Sequence, residues 1–536
     1  MEHGRGSAAQ SAGAASSSSA DASPLLPRDP WIATAWFTPS GSLVAEATAG
    51  LLPTTVFERL ARRRHVLFLD SATPDTAPGD APTATTAGLP LGRYSFVAAD
   101  PIHSLEVESP PGEAAEPMAR RLREACRQLR SLLTDIVCPT IPGLPPFQGG
   151  VAGLVSYEAG LAQLGLPAPP RSGPPVPLLS LHVYDVVFAY DHELNRGWFI
   201  SQGLPARGPT ARRGRASERL AAVLDPAASD ATPAVSAAPA ASPRPTTGGH
   251  PLPLRPRVRS THTRESYLDM VRAGIEYVRA GDIFQVNLAQ QFAVAADVDP
   301  LAVYAEARRI NPAPCAGFFT TGAMAIASMS PERFLQASHG IVRMHPIKGT
   351  RRVLASPEAD LYAADDLGDS AKDRAENVMI VDLVRNDLAR VCRPESVRVE
   401  SLCRLERYRY VQHLVSIVAG RLRPGLGPVD AFEAAIPGGS VTGAPKHRAC
   451  EIISQLEGFR RGGYCGSLGY LGFDGAADFN LLIRTFVITP GEISFAAGGG
   501  ITAASVPEAE HAESLHKAEG MLRVLDALGI AGDPAP

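Results

Sequence analysis

The sequence has no surplus of charge: 51 basic against 55 acidic side chains leave a formal −4 over 536 residues. Without a basic excess the chain lacks the phosphate-neutralising charge that nucleic-acid binders depend on, so no nucleic-acid partner is expected. Long apolar runs are also missing. None approaches the roughly 20 residues that span a bilayer, so no membrane segment is expected either. The first 28 residues are mostly Ser, Ala and Gly and lack the apolar stretch of a secretory signal. Seven cysteines (126, 138, 315, 392, 403, 450 and 465) never form a Cys-x-x-Cys pair. That argues against a zinc knuckle or a disulfide framework and for a reducing, cytoplasmic setting. No repeat of fixed period is found.

What is present is a chain with 45% hydrophobic residues, ample for a core. Its length suggests two to four units, and composition divides it. Residues 1–28 read as a disordered tail, 29–205 as an N-terminal region, 206–256 as a linker, 257–528 as a second region and 529–536 as a tail. The linker begins with Arg212, Arg213 and Arg215 and a short helical segment, Ser217 to Leu224. It then becomes Ala/Pro/Ser/Thr-rich from Pro226 to Pro251. A second such loop runs from Ala72 to Leu89. The N-terminal region reads as strand-rich, with β-prone runs at His65 to Ser71, Arg93 to Ala99 and Leu179 to Ala189. In the second region Tyr267, Val271, Ile275 and Val278 follow helical spacing and Gly281 ends the helix. A longer helix is expected from Ala371 to Val391, strands around 317–345 and 464–497, and a last helix behind a capping box, Ser505-Val-Pro-Glu508. Strands and helices mix without a βαβ rhythm, which makes the fold class α+β.

Three groups of residues have chemistry in their spacing. Pro437-Gly-Gly-Ser-Val-Thr-Gly-Ala-Pro-Lys446 is like a nucleotide-binding glycine loop, but the lysine of that motif would stand at 444. The chain has Ala444 and then Pro445 there, so a P-loop is not expected. The loop is left as a tight turn or as a set of backbone N–H groups offered to an anion. Gly498-Gly-Gly500 allows a similar choice between strand-end bend and ligand contact. On the predicted helix, Glu376 shares the stripe of Ile380 and Leu383, where a carboxylate needs a cation, a metal or a proton; Arg374 or Arg385 would serve. Glu513 and Lys517 have the spacing of a surface ion pair. Glu332 in Ser330-Pro-Glu-Arg-Phe334 and Lys348 in Pro346-Ile-Lys-Gly-Thr350 each follow a β-prone run. Such strand ends would deliver an acid and a nucleophile, or an ordinary ion pair.

Together these runs resemble the chorismate-using enzymes, the large subunits of anthranilate and aminodeoxychorismate synthases, with isochorismate and salicylate synthases as cousins. The resemblance covers nearly all of 257–528, through Ala280-Gly-Asp-Ile-Phe-Gln-Val-Asn-Leu288, the Glu332 and Lys348 runs, Asp373 to Asp387, His413-Leu-Val-Ser, the glycine loop, Tyr464-Cys-Gly-Ser-Leu-Gly-Tyr470, Ile483-Arg-Thr and Gly498-Gly-Gly-Ile. It marks 257–528 as the chorismate-binding catalytic domain. It extends more weakly over 29–205 through Leu69-Asp-Ser, Gly92-Arg-Tyr-Ser-Phe and Gly149-Gly-Val-Ala-Gly-Leu. The implied fold is two large, mainly antiparallel sheets packed as a sandwich with helices outside.

The resemblance also implies site roles. Glu376 and Glu513 become ligands of Mg²⁺, a hard cation suited to oxygen donors, and this replaces the ion-pair reading of both. Tyr464, Arg484, Lys517 and the backbone from Gly498 through Gly500 would grip the carboxylates and side chain of chorismate. Thr442 and His413 would line its ring, with Gln285 and Thr350 also at substrate-contacting positions. Glu332 would be the general acid for the departing C4 hydroxyl. Gln285 stands where isochorismate and salicylate synthases carry the lysine that activates water. Lys348 stands where anthranilate synthases carry alanine, and the Pro-Ile-Lys-Gly-Thr form is like that of aminodeoxychorismate synthases, in which the lysine is a covalent nucleophile. The implied reaction is transfer of ammonia to chorismate, giving 4-amino-4-deoxychorismate on the route to para-aminobenzoate and folate. The alternatives are anthranilate formation and a non-enzymatic regulator that binds chorismate or tryptophan. No Gly-x-Cys-x-Gly turn is present, Gly463-Tyr-Cys465-Gly being the nearest, so a separate glutamine amidotransferase subunit is expected to supply ammonia and a separate lyase to act downstream. Two runs depart from the family. Glu510 to Lys517 lacks its Tyr and Thr, and Asn311-Pro-Ala-Pro-Cys-Ala-Gly lacks the Tyr-Met of a tryptophan pocket that Leu69-Asp-Ser only partly keeps. Regulation by tryptophan is therefore not expected.

Overall fold

The computed structural model describes residues 29–71, 91–110, 112–136, 138–169, 173, 176–226, 249–352, 370–407 and 411–532. The tail 1–28, the loop from Ala72 to Leu89, the low-complexity stretch 227–248 and residues 533–536 lie outside them.

Among the described residues the strands form two antiparallel sheets, one of 14 strands and one of ten. Side-chain alternation decides how they pack. On the strand Leu67–Asp70, Leu67 joins a core with Phe96, Val187 and Ile326 of its own sheet and with Leu154, Leu468 and Tyr470 of the other. The next residue, Phe68, points the opposite way and packs with Phe57, Tyr304 and Leu522 on helices. The smaller sheet mirrors this, its Leu181, Leu335 and Leu471 meeting Leu122, Ile380 and Ile452 on helices of the opposite outer layer. The layers therefore run helices, sheet, sheet, helices, the α+β sandwich expected from sequence. No helix among the described residues is long and apolar enough to cross a membrane.

Both sheets draw strands from both sequence regions. Leu67–Asp70 pairs with Cys315–Thr320 in the larger sheet, and Gly150–Val155 with Ser467–Gly472 in the smaller. The run Leu179 to Ala189, read as one strand, is two: Leu179–Tyr184 belongs to the smaller sheet and Val186–Asp191 to the larger. Buried Asp185 lies between them, paired with Arg219 at 2.8 Å. Both segments are buried on both faces, so hydrophobicity alone could not reveal the crossing. Arg219 lies on the helix Pro209–Leu224, which buries Ala216, Leu220, Val223 and Leu224. The linker is thus narrower than composition suggests, and its far end holds the strands His250–Leu252 and Arg255–Ser260 at the edge of the larger sheet. The expected capping box does not form. The last helix is Pro507–Ala527, started by a proline whose missing N–H suits a first turn. Ser505 Oγ donates instead to Glu510 Oε1 at 2.7 Å.

Candidate active site

The site is built around the start of the strand Gln285–Ala295, which pairs with Glu492–Ile501 on one side and with the end of the glycine loop on the other. Gly443 has φ +143, and a Cβ there would lie 2.1 Å from the Gln285 carbonyl oxygen, so only glycine fits. The loop is tied down along its length. Asn287 N donates to Thr442 O at 2.7 Å, Thr442 Oγ1 donates to Gly438 O at 2.9 Å, and Lys446 Nζ bonds Asp387 Oδ2 and Ala435 O at 2.7 and 2.8 Å. Gln285 is wholly buried, and neither amide atom has a hydrogen-bond partner among the described residues. Its Nε2 lies 2.6 Å from where a Gly500 Cβ would be, so glycine at 500 makes room for it. Two unmatched buried polar atoms point to a polar ligand group.

Glu332 sits between the strands Ala325–Ser330 and Arg333–Ser338. Its side chain is buried, and Oε1 accepts from Ser440 Oγ at 2.7 Å. Burial raises its carboxyl to about 7, against smaller opposing pulls from Ser440, Lys348 and the Ile347 backbone. Lys348 lies on the strand Ile347–Arg352, partly buried, in register with Leu414 of Val411–Arg421. Desolvation pushes its ammonium below the usual lysine range; Glu376, Glu332 and Glu513 oppose that, and Lys517 adds to it. The structure therefore places the proposed acid, both proposed metal carboxylates and Lys517 within electrostatic reach of Lys348.

The remaining predicted residues surround this group. Glu376 is partly buried on the helix Ala371–Ala389, and Glu513 lies on Pro507–Ala527, with Oε1 2.8 Å from Lys517 Nζ. That is the contact spacing suggested, and Lys517 also donates to Gly498 O at 2.9 Å. Carboxylate oxygens offered from two helices suit a hard divalent cation, so these residues fit Mg²⁺. His413 is buried, and desolvation followed by the charge of Arg484 lowers it to about 3, which keeps it neutral. Its register partner on the neighbouring strand is Thr350. Tyr464 is buried beneath the loop, its phenol raised well above the usual range by burial.

Sequence reasoning gave no role to Ser440, Asp387, Lys446, Glu457 or Arg461. One signal was available. Only four of the 51 basic residues are lysines, at 348, 372, 446 and 517, and Lys446 is the one that ties the glycine loop to Asp387. Glu457 and Arg461 form a buried pair at 2.6 Å that also binds Ala289 N, Asn287 O and Val441 O, bracing the strand against the loop. Two further features lie apart. Leu69, Asp70 and Ser71 line a small cavity of about 70 Å³ with Pro314, Cys315 and Asp478, and no residue assigned to catalysis lines it. His65, Glu106 and His182 cluster, but Ser104 and Ser180 already engage both ring nitrogens of His182.

The chain matches the family model described as chorismate binding enzyme over residues 84–523. It is 38% identical over 400 residues to anthranilate synthase component 1 of Thermus thermophilus, covering 74% of this chain and 82% of that one. It is also 38% identical over 382 residues to aminodeoxychorismate synthase component 1 of Klebsiella aerogenes, covering 71% and 78%. Its structure is similar to anthranilate synthase component I from Streptococcus pneumoniae TIGR4, with a TM-score of 0.65 and 28% identity, covering 83% of this chain and 95% of the other. The chain belongs to the chorismate-binding enzymes, of the anthranilate and aminodeoxychorismate synthase type.

Proposed function

We propose that the chain is an aminodeoxychorismate synthase component that converts chorismate and ammonia to 4-amino-4-deoxychorismate and water. The observation that carries this reading is Lys348, a desolvated lysine beside a carboxyl group raised to about 7. A neutral amine is a nucleophile, and burial favours that form. In this reading Nζ of Lys348 bonds to C2 of chorismate while the C4–O bond breaks and the ring double bonds shift. Glu332 gives its proton to the departing hydroxyl, which leaves as water. Ammonia then bonds to C4, the Lys348–C2 bond breaks, and the proton released by the nitrogen returns to Glu332. Mg²⁺ bound at Glu376 and Glu513 would supply positive charge to a substrate carboxylate. Gln285 favours amination over hydration, since an amide cannot act as the base that activates water.

A glutamine amidotransferase subunit is the proposed ammonia source, and a separate lyase acts on the product. A cytoplasmic setting fits seven cysteines that are all free. Anthranilate formation is the second reading, favoured by relatives of that name at equal identity. Purified chain with chorismate, Mg²⁺ and ammonium should form a product that becomes 4-aminobenzoate only when a lyase is added. Fluorescent anthranilate as the main product would overturn the proposal, and binding without turnover would indicate a regulator. Without ammonia, intact-protein mass spectrometry should detect a chorismate-derived adduct that Lys348→Ala lacks. Glutamine should not replace ammonium for the isolated chain.

A further inference from the structure

Ser440 lies in the middle of the glycine loop, where a hydroxyl has no role in making the turn, since Gly438, Gly439 and Gly443 supply that. Its Oγ donates to Glu332 Oε1 at 2.7 Å, across 108 residues of sequence. The carboxylate also takes a hydrogen bond from the backbone of Ile347, on the strand that carries Lys348. A serine hydroxyl that merely filled a loop would be free to rotate towards water or backbone. This one sits on a segment fixed from four sides. A Cβ on Gly439 would lie 2.6 Å from Leu383 Cδ2, so the loop is packed directly on the helix that carries Glu376. Lys446 ties the loop's end to Asp387 on the same helix, Arg461 Nη1 donates to Val441 O at 2.8 Å, and the Asn287 amide holds Thr442 O.

We propose that Ser440 is a positioning residue of the acid: by donating to Oε1 from a fixed loop it holds the Glu332 carboxyl in the orientation from which it gives its proton to the leaving group. The inference rests on the reading of Glu332 as the general acid. A carboxylic acid has one proton and two oxygens, and in an unconstrained group the proton is shared between them. An oxygen that already accepts a strong hydrogen bond is the poorer site for the proton, so the bond from Ser440 biases how the carboxyl holds and gives its proton. The same bond stabilises the ionised form and makes Glu332 a stronger acid than burial alone would leave it. The charged and titratable groups around the carboxyl are Lys348, which also favours ionisation, and the thiols of Cys315 and Cys465. Burial pushes both thiols up to about 12, so they stay neutral and do not contribute to a profile near neutrality.

The test compares Ser440→Ala, Ser440→Thr and Glu332→Gln with wild type, using chorismate, Mg²⁺ and ammonium across a pH series. Losing the bond raises the affinity of Glu332 for its proton, so the alkaline limb of kcat should move up by about one pH unit in Ser440→Ala. At neutral pH its kcat should fall about ten-fold, because the proton is no longer aimed, while KM for chorismate and the thermal midpoint stay near wild type. Ser440→Thr keeps the hydroxyl and should restore both limb and rate. Added to Glu332→Gln, Ser440→Ala should cause no further loss. An unmoved limb in Ser440→Ala, a higher KM with a lower melting point, or a threonine variant no better than alanine would each overturn the inference. Wild-type turnover by Glu332→Gln would instead overturn the reading of Glu332 as the acid, so the two failures are separable.

Discussion

Two acid–base pairs flank the glycine loop, one wholly and one partly buried, and they are built in opposite ways. Glu457 and Arg461 are saturated: the guanidinium takes both carboxylate oxygens and two backbone carbonyls, and the carboxylate takes a backbone amide. Glu332 and Lys348 form no such clasp. They feel each other's charge, yet Glu332 takes its hydrogen bonds from Ser440 and the Ile347 backbone, and burial pushes both groups towards their neutral forms. A matched pair is structural because its charges are fully spent on each other. An unmatched pair keeps a proton and a lone pair ready for a substrate.

The comparison breaks or stands on substitution. Glu332→Gln should reduce kcat by about 10²–10⁴-fold with the fold intact, measured as initial rate beside a thermal scan. Stability should respond with a definite sign. The native carboxyl holds its proton up to about 7 against an ordinary 4.5, so the contribution of the neutral acid is present below about 4.5 and is lost as pH rises through 7. Glu332→Gln, which has nothing to ionise, should therefore gain on wild type across that window. Glu457→Gln should instead act on folding and lose about 3–5 kcal/mol in denaturant titration, because it leaves Arg461 buried without its counter-charge. Equal stability losses from both substitutions would erase the distinction. On the rate side, wild-type kcat should decline above about pH 7 as Glu332 ionises, and that limb should vanish in Glu332→Gln. The smallest effect belongs to Lys517, half-exposed and paired with Glu513. Lys517→Met should change stability by less than about 1 kcal/mol yet raise KM for chorismate if its ammonium holds a substrate carboxylate.

The residues proposed as acid, nucleophile and metal ligands, Glu332, Lys348, Glu376 and Glu513, were legible in the sequence because each lies in a short local run. The sequence also disclosed the helices 264–279 and 371–389, whose apolar periodicity or family pattern is local. What stayed hidden depends on contacts between distant segments. Nothing near Asp185 announces that the chain changes sheets there, because its partner Arg219 lies on a helix beyond that point. Ser440 looked like one more small residue in a turn; only the fold brings it to Glu332. Ser505 and Glu508 matched a capping pattern, but Pro507 starts the helix and Glu510 captures the serine hydroxyl first.

The two seams between sequence regions have a consequence for how the protein is made. Leu67–Asp70 and Gly150–Val155 leave the ribosome with an edge whose partners, Cys315–Thr320 and Ser467–Gly472, are still to be translated. At roughly 5–20 residues per second, the first of these edges waits about 10–50 s for its partner, and unpaired edges invite association with other chains. Neither sheet is complete in a nascent chain that stops at the low-complexity stretch. A chain severed within that stretch would therefore yield two fragments that are each other's missing strands, able to recover activity only by assembling together.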